Sequence, residues 1–332
     1  MMKNKVVADQ GDFLELYDNW DSPTVIISDG PYGVGGFPGD PKTPSGLGKI
    51  YEPFINAWTK ASSPITTLWF WNTELGWANV HPVFEKYGWD FVNCHVWNKG
   101  KAHIAGNANA KTLRKLPVVT EVCVQYTLKA QFEVEGRTIS MQEWLRHEWK
   151  RTGLPLSKTN EACEVKNAAT RKYFTKCDLW YFPPSEAFEK FSNYANKYGK
   201  PEGRPYFSID GKFPLTKDDW EMMRAKFYCP FGVTNVWDVP PLNGKERLKN
   251  GNKAIHLNQK PLRLMESIIK MSSDVGDVVW EPFGGLFSGL VAAHNLKRCG
   301  FGSEINPNIF EQGKKRLNAV LNQPKLNLLL DQ

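Results

Sequence analysis

Short apolar runs rich in β-branched residues alternate with amphipathic stretches over the first hundred residues: 24–28 (TVIIS), 50–60, 65–70, 82–88 and 91–97. That alternation predicts an α/β arrangement of strands and covering helices. The rhythm returns near the other end, where LRLMESIIKMS reads as a helix, DVVWEP as a buried strand, SGLVAAHNLK as a helix and FGSEI as a further strand. Between them, residues 130–250 lose the alternation and gain aromatics, charges and prolines, as in WYFPPSEAFEKF, which predicts an inserted module. The chain therefore divides into an α/β part at 1–129, a middle at 130–250 and a second α/β part at 251–332. Residues 33–48 (GVGGFPGDPKTPSGLG) carry too much Gly and Pro for regular structure and predict a functional loop.

Composition narrows the class. A chain of 332 residues, 41% hydrophobic and 23% charged, is in the globular range, and no apolar run approaches the roughly 20 residues of a membrane span. The start lacks the apolar core of a signal peptide, so a cytoplasmic setting is expected. Six scattered cysteines show no two-residue spacing and are expected as free thiols, and the six histidines show no ligand spacing, so no metal is expected. The net charge of +7 favours a polyanionic partner, and it concentrates in mid-chain: 137–176 holds nine Lys or Arg against four Glu.

Two constellations carry chemistry. TVIIS runs into Asp29, Gly30, Pro31 and Tyr32, placing a carboxylate, a turn and an aromatic ring at the carboxyl end of a strand, where open α/β sheets bind ligands. An exocyclic base amine is a poor nucleophile because its lone pair is delocalised; a carboxylate and a carbonyl can hold its N–H groups, and a ring can stack on a base taken out of the duplex. Taken alone, Asp-Gly-Pro-Tyr is also simply a turn. The strand around Val278–Trp280 leads into Glu281, Pro282, Phe283, Gly284 and Gly285, small residues that permit close approach of a ligand, and about twenty residues on stands Glu304, spaced to accept from ribose hydroxyls. Tight helix-to-strand packing is the alternative.

In order along the chain, GDFLEL, Asp-Gly-Pro-Tyr, WNKG (97–100), TNVWDVPP (234–241), HLNQKPLRLMESII (256–269), DVVWEPFGG (277–285) and GSEINPNIFEQGKKRL (302–317) resemble the blocks of the amino-methyltransferase family of DNA-modifying enzymes, in its permuted class β. The resemblance covers residues 10–128 and 234–318 and leaves the middle as target-recognition region. It implies a Rossmann-like S-adenosylmethionine-dependent methyltransferase fold, a mixed and mostly parallel sheet with an inserted helical recognition region. It implies that Asp29 and the Gly30 carbonyl accept from the target amine, that Pro31 shapes the turn and that Tyr32 stacks on the base. S-adenosyl-L-methionine would be held by Asp12 at the adenine, by Glu304 at the ribose, by Glu281, Pro282, Phe283 and Gly285 near the methionine, and by Gln259, Lys260 and Pro261, with Phe13, Asp29, Gly284 and Asn306 also in the cofactor site. Four positions depart from the family pattern: Gly30 replaces a Pro, Glu281 replaces an Asp, and Leu286 and Phe287 follow the glycine turn where Ser and Gly are usual.

A leading Asp favours adenine N6, with cytosine N4 as the alternative, RNA or a protein amide as a further substrate, and a non-catalytic DNA-binding regulator as the rival if Phe287 blocks the turn. The resemblance implies double-stranded DNA as partner, with a restriction endonuclease acting separately; length and charge fit monomer and dimer equally. In the middle, SKTNEACEV followed by KNAATRKYFT resembles a helix-turn-helix over 157–175, with Ser157 as cap and Lys166, Asn167, Thr170, Arg171 and Lys172 facing a groove. Glu164 stands at the turn position where Gly is common, and Asn160 where Ala is common. The tryptophans, among them Trp69, Trp71, Trp77 and Trp97, are expected as core.

Overall fold

The structure, a computed structural model, describes residues 5–35, 39–101, 104, 112, 114, 116–201, 203–242, 246–251, 253–255 and 259–322. Residues 36–38 of the Gly/Pro loop and 256–258 of the block ahead of LRLMESII lie outside the described residues. Two compact units divide the chain after Thr127 and before Lys226, with Ser63–Ile65 counted in the second.

In the first unit the chain runs β1 (Val6–Gln10), α1 (Phe13–Leu16), β2 (Val25–Ser28), α2 (Leu47–Ala61), β3 (Thr67–Asn72), α3 (Glu74–Lys86), β4 (Trp89–Asn98) and β5 (Thr120–Leu128). The second unit holds β6 (Gln131–Val134), β7 (Arg137–Ser140), α4 (Met141–Arg151), α5 (Lys158–Ala162), α6 (Ala168–Lys172), α7 (Ser185–Tyr198) and α8 (Lys217–Glu221). The chain then returns to the first unit with β8 (Val236–Asp238), β9 (Lys249–Asn250), β10 (Lys253–Ala254), α9 (Leu262–Ser272), β11 (Val278–Glu281), α10 (Ser288–Asn295), β12 (Cys299–Glu304) and α11 (Pro307–Leu321).

Eight strands form one sheet in the order β1-β12-β11-β2-β3-β5-β4-β8. The pairs from β1 to β3 are parallel, β3–β5 is antiparallel, and β8 adds parallel to β4. The mixed, mostly parallel α/β sheet expected from the sequence is therefore present. Every residue of β2 and β3 is buried, the signature of central strands covered on both faces. One covering layer is α9, whose Leu264, Met265, Ile268 and Ile269 recur at helical spacing and pack with Val25, Ile27 and Val279 of the sheet. Trp69, Trp71 and Trp97 lie in that core, as expected, while the half-buried Trp77 donates to Tyr126 Oη at 2.7 Å. From β11 the chain crosses through α10 to β12 on one side, and from β2 through α2 to β3 on the other, so the carboxyl ends of β11 and β2 flank a topological switch point.

The second unit differs from a purely helical insert, because it opens with the β6–β7 hairpin. At its tip Glu135 and Gly136 both take positive φ, at 51° and 74°, as a two-residue hairpin turn requires. Ser140 and Glu143 then form a reciprocal capping box at the start of α4. Aromatic pairs fill the core: Phe132 on Trp144 at 4.3 Å and Phe188 on Trp220 at 4.1 Å. Glu148, fully buried, is neutralised by Arg151 at 2.5 Å and Arg204 at 2.7 Å and accepts from Phe207 N at 2.9 Å, which satisfies a charge that burial would otherwise make costly.

The boundary drawn at residue 250 moves to Lys226. Composition grouped residues 226–250 with the insert, but Lys226 pairs with Asp274 and Asp277 at 2.9 and 2.8 Å, Tyr228 N donates to Met271 O at 2.7 Å, and β8 joins the sheet. Aromatic content cannot reveal strand pairing. Among the described residues no helix is long and apolar enough to cross a membrane.

Candidate active site

The turn after β2 is built by hydrogen bonds from three directions. Asp40, buried in the Gly/Pro loop, accepts the N–H groups of Tyr32 (2.9 Å), Gly33 (2.8 Å) and Val34 (3.0 Å), so one carboxylate fixes three successive peptides. The Pro31 carbonyl accepts from Tyr51 Oη and from Asn72 Nδ2, both at 3.0 Å. Gly30 packs so closely that a Cβ there would lie 2.6 Å from Tyr51 Oη and 2.7 Å from the Phe283 ring. The glycine in place of the family's proline is therefore matched to its aromatic neighbours, and the turn is not loose. Among the described residues no donor reaches the Gly30 carbonyl.

Asp29 presents two different oxygens. Its Oδ1 accepts from Lys260 Nζ at 2.6 Å and from Tyr32 Oη at 2.8 Å, while among the described residues no donor reaches Oδ2. Lys260, 3% exposed, also lies 3.3 Å from Glu121 of β5 and 3.0 Å from Tyr32 Oη, and Glu121 is paired on its other side with Lys99 of the WNKG block. Burial alone would push the Lys260 ammonium down, but the carboxylates of Asp29 and Glu121 outweigh it and hold it above its ordinary value. Glu121 behaves conversely: burial would raise it, and the two lysines hold it below the usual carboxylate range. Burial, Asp29 and Glu121 together drive the Tyr32 hydroxyl well up.

Tyr32, expected from the resemblance to stack on the base, is buried. It is 3% exposed, belongs to the core with Trp71 and Met265, and carries the Lys260 ammonium 5.2 Å from its ring centroid. It is absent from the cavity wall. The reason is tertiary: the hydroxyl reaches a buried charge network that the local Asp-Gly-Pro-Tyr pattern cannot display.

Beside Asp29 opens a cavity of about 280 Å³ at the switch point. The turn after β11 contributes Glu281 through Leu286, β12 and its exit contribute Glu304 and Asn306, and Asp12 and Phe13 of α1 close another side. Asp29, Gly30, Pro31, Gln259 and Lys260 complete the wall, so the sequence-predicted cofactor residues converge on it with the exception of Pro261, which caps α9. Glu304 accepts from Gly285 N and Asn306 N, each at 2.8 Å, one on each oxygen, leaving lone pairs on both. Asp12 Oδ1 caps α1 by accepting from Leu14 N at 3.0 Å. The Gln259 amide is engaged elsewhere, donating to Glu246 O and accepting from Leu248 N at 3.0 Å each, so it ties down residues 246–248 and meets the cavity only with its flank.

Glu281 is turned onto the start of α10, where Oε1 accepts from Gly289 N at 2.8 Å and Oε2 from Leu290 N at 2.9 Å. Burial pushes its carboxyl up to about 8, against those two N–H groups and Arg316. Phe287 does not obstruct the turn. It adopts a left-handed conformation, φ 55°, that sends its ring into a core with Leu290, Phe310 and Leu317, away from the cavity. Space for that ring is made by glycines: a Cβ on Gly284 would lie 2.2 Å from it and one on Gly313 2.8 Å.

In the second unit the predicted groove residues are only partly as expected. The helices α5 and α6 have five residues each, and Glu164 supplies the turn with φ 56°. Thr170 faces inward: its N–H donates to Asn160 Oδ1 at 3.1 Å and its hydroxyl takes Asn160 Nδ2 at 2.7 Å, which also explains why Asn stands where Ala is common. Ser157 makes no side-chain cap bond. Lys166, Asn167, Arg171 and Lys172 are exposed.

Residues missed by the sequence reading are Asp40, Glu121 and Lys99. Lys99 lay within a quoted block, but a lone Glu in a strand such as TEVCVQYTL carries a signal only once that strand is known to be inside the sheet.

A family model described as DNA methylase, N6_N4_Mtase, matches residues 24–315. Type II methyltransferase M.HpaI of Haemophilus parainfluenzae is 35% identical over 89 residues, 27% of this chain and 27% of that protein. DNA adenine methyltransferase YhdJ of Escherichia coli (strain K12) is 37% identical over 86 residues, 26% of this chain and 28% of that protein. The chain thus spans about a quarter of the length of the curated relatives it matches. Among solved structures, an M1.HpyAVI–SAM complex aligns with a TM-score of 0.53 at 16% identity over 94% of this chain and 99% of that one. PvuII DNA methyltransferase (cytosine-N4-specific) aligns with a TM-score of 0.52 at 13% identity over 97% and 94%. These structural likenesses bear on the fold, and the family match spans both α/β parts and the insert: the chain belongs to the N6/N4 DNA methylase family.

Proposed function

We propose that this chain transfers a methyl group from S-adenosyl-L-methionine to the exocyclic N6 of adenine in duplex DNA. The observation that carries the reading is that Asp29 and Gly30, whose Oδ2 and carbonyl oxygen take no donor among the described residues, line the same cavity as Glu304, Asp12 and the Gly284–Gly285 turn.

The residues fit the donor. Glu304 offers lone pairs for vicinal hydroxyls, the glycine turn allows close approach, and Phe287 leaves the cavity clear, which removes the reason for a regulator without cofactor. S-adenosyl-L-methionine supplies an activated methyl group with its own leaving group. The protein's part is to hold the amine: Asp29 Oδ2 takes one N–H and the Gly30 carbonyl the other, favouring a tetrahedral nitrogen with its lone pair free. A base must leave the duplex to reach that point. The leading Asp and the likeness to a protein named DNA adenine methyltransferase support adenine. The likeness to a type II methyltransferase supports a short specific site and a separately acting endonuclease. The exposed Lys166, Asn167, Arg171 and Lys172 are assigned to DNA contact.

The test is incubation of the protein with S-adenosyl-L-methionine and unmethylated mixed genomic DNA, followed by mass spectrometry of the nucleosides. N6-methyladenine above background is the expected result; N4-methylcytosine alone overturns the base, and neither product overturns DNA as substrate.

A further inference from the structure

Resting on that reading of the site, we infer that Glu121 is a positioning residue for methyl transfer: it holds the Lys260 ammonium against Asp29 Oδ1 and so leaves Oδ2 as the open oxygen of that carboxylate, beside the Gly30 carbonyl, for the target amine.

The geometry is a chain of alternating charge. Lys99 pairs with Glu121 Oε1, Glu121 Oε2 lies 3.3 Å from Lys260 Nζ, and Nζ lies 2.6 Å from Asp29 Oδ1. Tyr32 Oη bridges the middle, at 2.8 Å from Asp29 Oδ1 and 3.3 Å from Glu121 Oε2. An acceptor carboxylate on a turn has a freely rotating χ2, which exchanges its two oxygens. Two donors on the same oxygen remove that freedom. Lys260 could not do this on flexibility alone, since an ammonium on a four-carbon stem has many rotamers. The second carboxylate and the rings of Tyr32 and Trp71, each 5.2 Å from Nζ, confine it. Glu121 does not itself line the cavity, and its link to the wall is Lys260, through which its effect passes.

The groups facing the Lys260 ammonium are Asp29 and Tyr32 from the turn after β2 and Glu121 and Cys123 from β5; Lys99 faces Glu121 from beyond β4. Removing the Glu121 charge leaves burial opposed by Asp29 alone, so Lys260 loses its proton at lower pH.

The test is single-turnover methyl transfer from tritiated S-adenosyl-L-methionine to unmethylated genomic DNA, measured from pH 6 to 10 on the full chain. For Glu121→Gln the rate falls about tenfold to a hundredfold. A fall in rate on the alkaline side, absent from the wild type up to pH 10 because its Lys260 is held above the ordinary value, enters that range. Affinities for S-adenosyl-L-methionine and DNA stay unchanged. An unchanged rate and pH profile, or a uniform fall accompanied by lost S-adenosyl-L-methionine binding, overturns the positioning role. Should that variant fail to fold, Lys99→Met carries the test: Glu121 is then left wholly to Lys260, and the rate stays level up to pH 10 as in the wild type. An alkaline fall there would mean that the Glu121 charge does not hold the proton on Lys260, and would overturn the inference. Wild-type protein that methylates no base overturns the reading of the site itself, whereas active wild type with an indifferent Glu121→Gln overturns only the role of Glu121.

Discussion

Glu281 offers a direct measurement of how burial and hydrogen bonding compete at the glycine turn. The carboxyl is 4% exposed and aims at the start of α10, where Gly289 and Leu290 donate at 2.8 and 2.9 Å. Those N–H groups and the nearby Arg316 favour the ionised form, but burial prevails and pushes the group from 4.5 up to about 8. The sign follows. An unfolded Glu gives up its proton near the ordinary value and the folded one only near 8, so stability present in acid is lost progressively as pH rises between the two. At about 1.4 kcal/mol per pH unit, falling off as the folded group begins to ionise, the loss from pH 6 is about 2 kcal/mol by pH 8 and just under 3 kcal/mol by pH 9, where the curve flattens. Glu281→Gln removes the titration while keeping the shape. Its amide nitrogen cannot accept, so one N–H of α10 goes unpaired at a cost of about 1–3 kcal/mol at pH 6. The gap between the two proteins should close by about 2–3 kcal/mol on going to pH 9. Urea unfolding followed by tryptophan fluorescence at pH 6, 7, 8 and 9 measures it, and every other titration is common to both proteins and cancels in the difference. A gap constant to within roughly 0.5 kcal/mol across that range would refute the reasoning, since it would mean that Glu281 is already ionised at pH 6.

Three further outcomes are expected. Asp29→Ala removes the acceptor and should lower methyl transfer by about a hundredfold or more with S-adenosyl-L-methionine affinity retained, as isothermal calorimetry and a tritium assay would reveal. Wild-type turnover would remove Asp29 from catalysis. Gly30→Ala drives a methyl group to 2.6 Å from Tyr51 Oη and 2.7 Å from the Phe283 ring, so it should cost about 1–3 kcal/mol of stability and most of the activity; an unshifted melting temperature would contradict the packing. Arg171→Ala should weaken DNA binding and, if the contact is to phosphate, lower the salt dependence by about one counterion without changing cofactor affinity, measurable by fluorescence anisotropy across a salt series.

Local chemistry along the chain determined a good deal. Strand runs ending in Asp-Gly-Pro-Tyr and in Glu-Pro-Phe-Gly-Gly announce ligand-facing turns because buried β-branched runs make central strands and Gly and Pro end them. The matching order of blocks carried the family, and most of the residues proposed for the cofactor line one cavity. Tertiary structure alone decided which partner each side chain meets. Glu121 reaches Lys260 only because β5 inserts between β3 and β4, and Tyr32 is buried because that same network captures its hydroxyl. Phe287, a departure from the pattern when read along the chain, is harmless because glycines at 284 and 313 open a core for its ring. Residues 226–250 resemble the insert in composition yet pair with the sheet. Period, turn chemistry and motif order depend on neighbours in sequence and are legible there, whereas charge pairing and burial depend on neighbours in space, which sheet order sets.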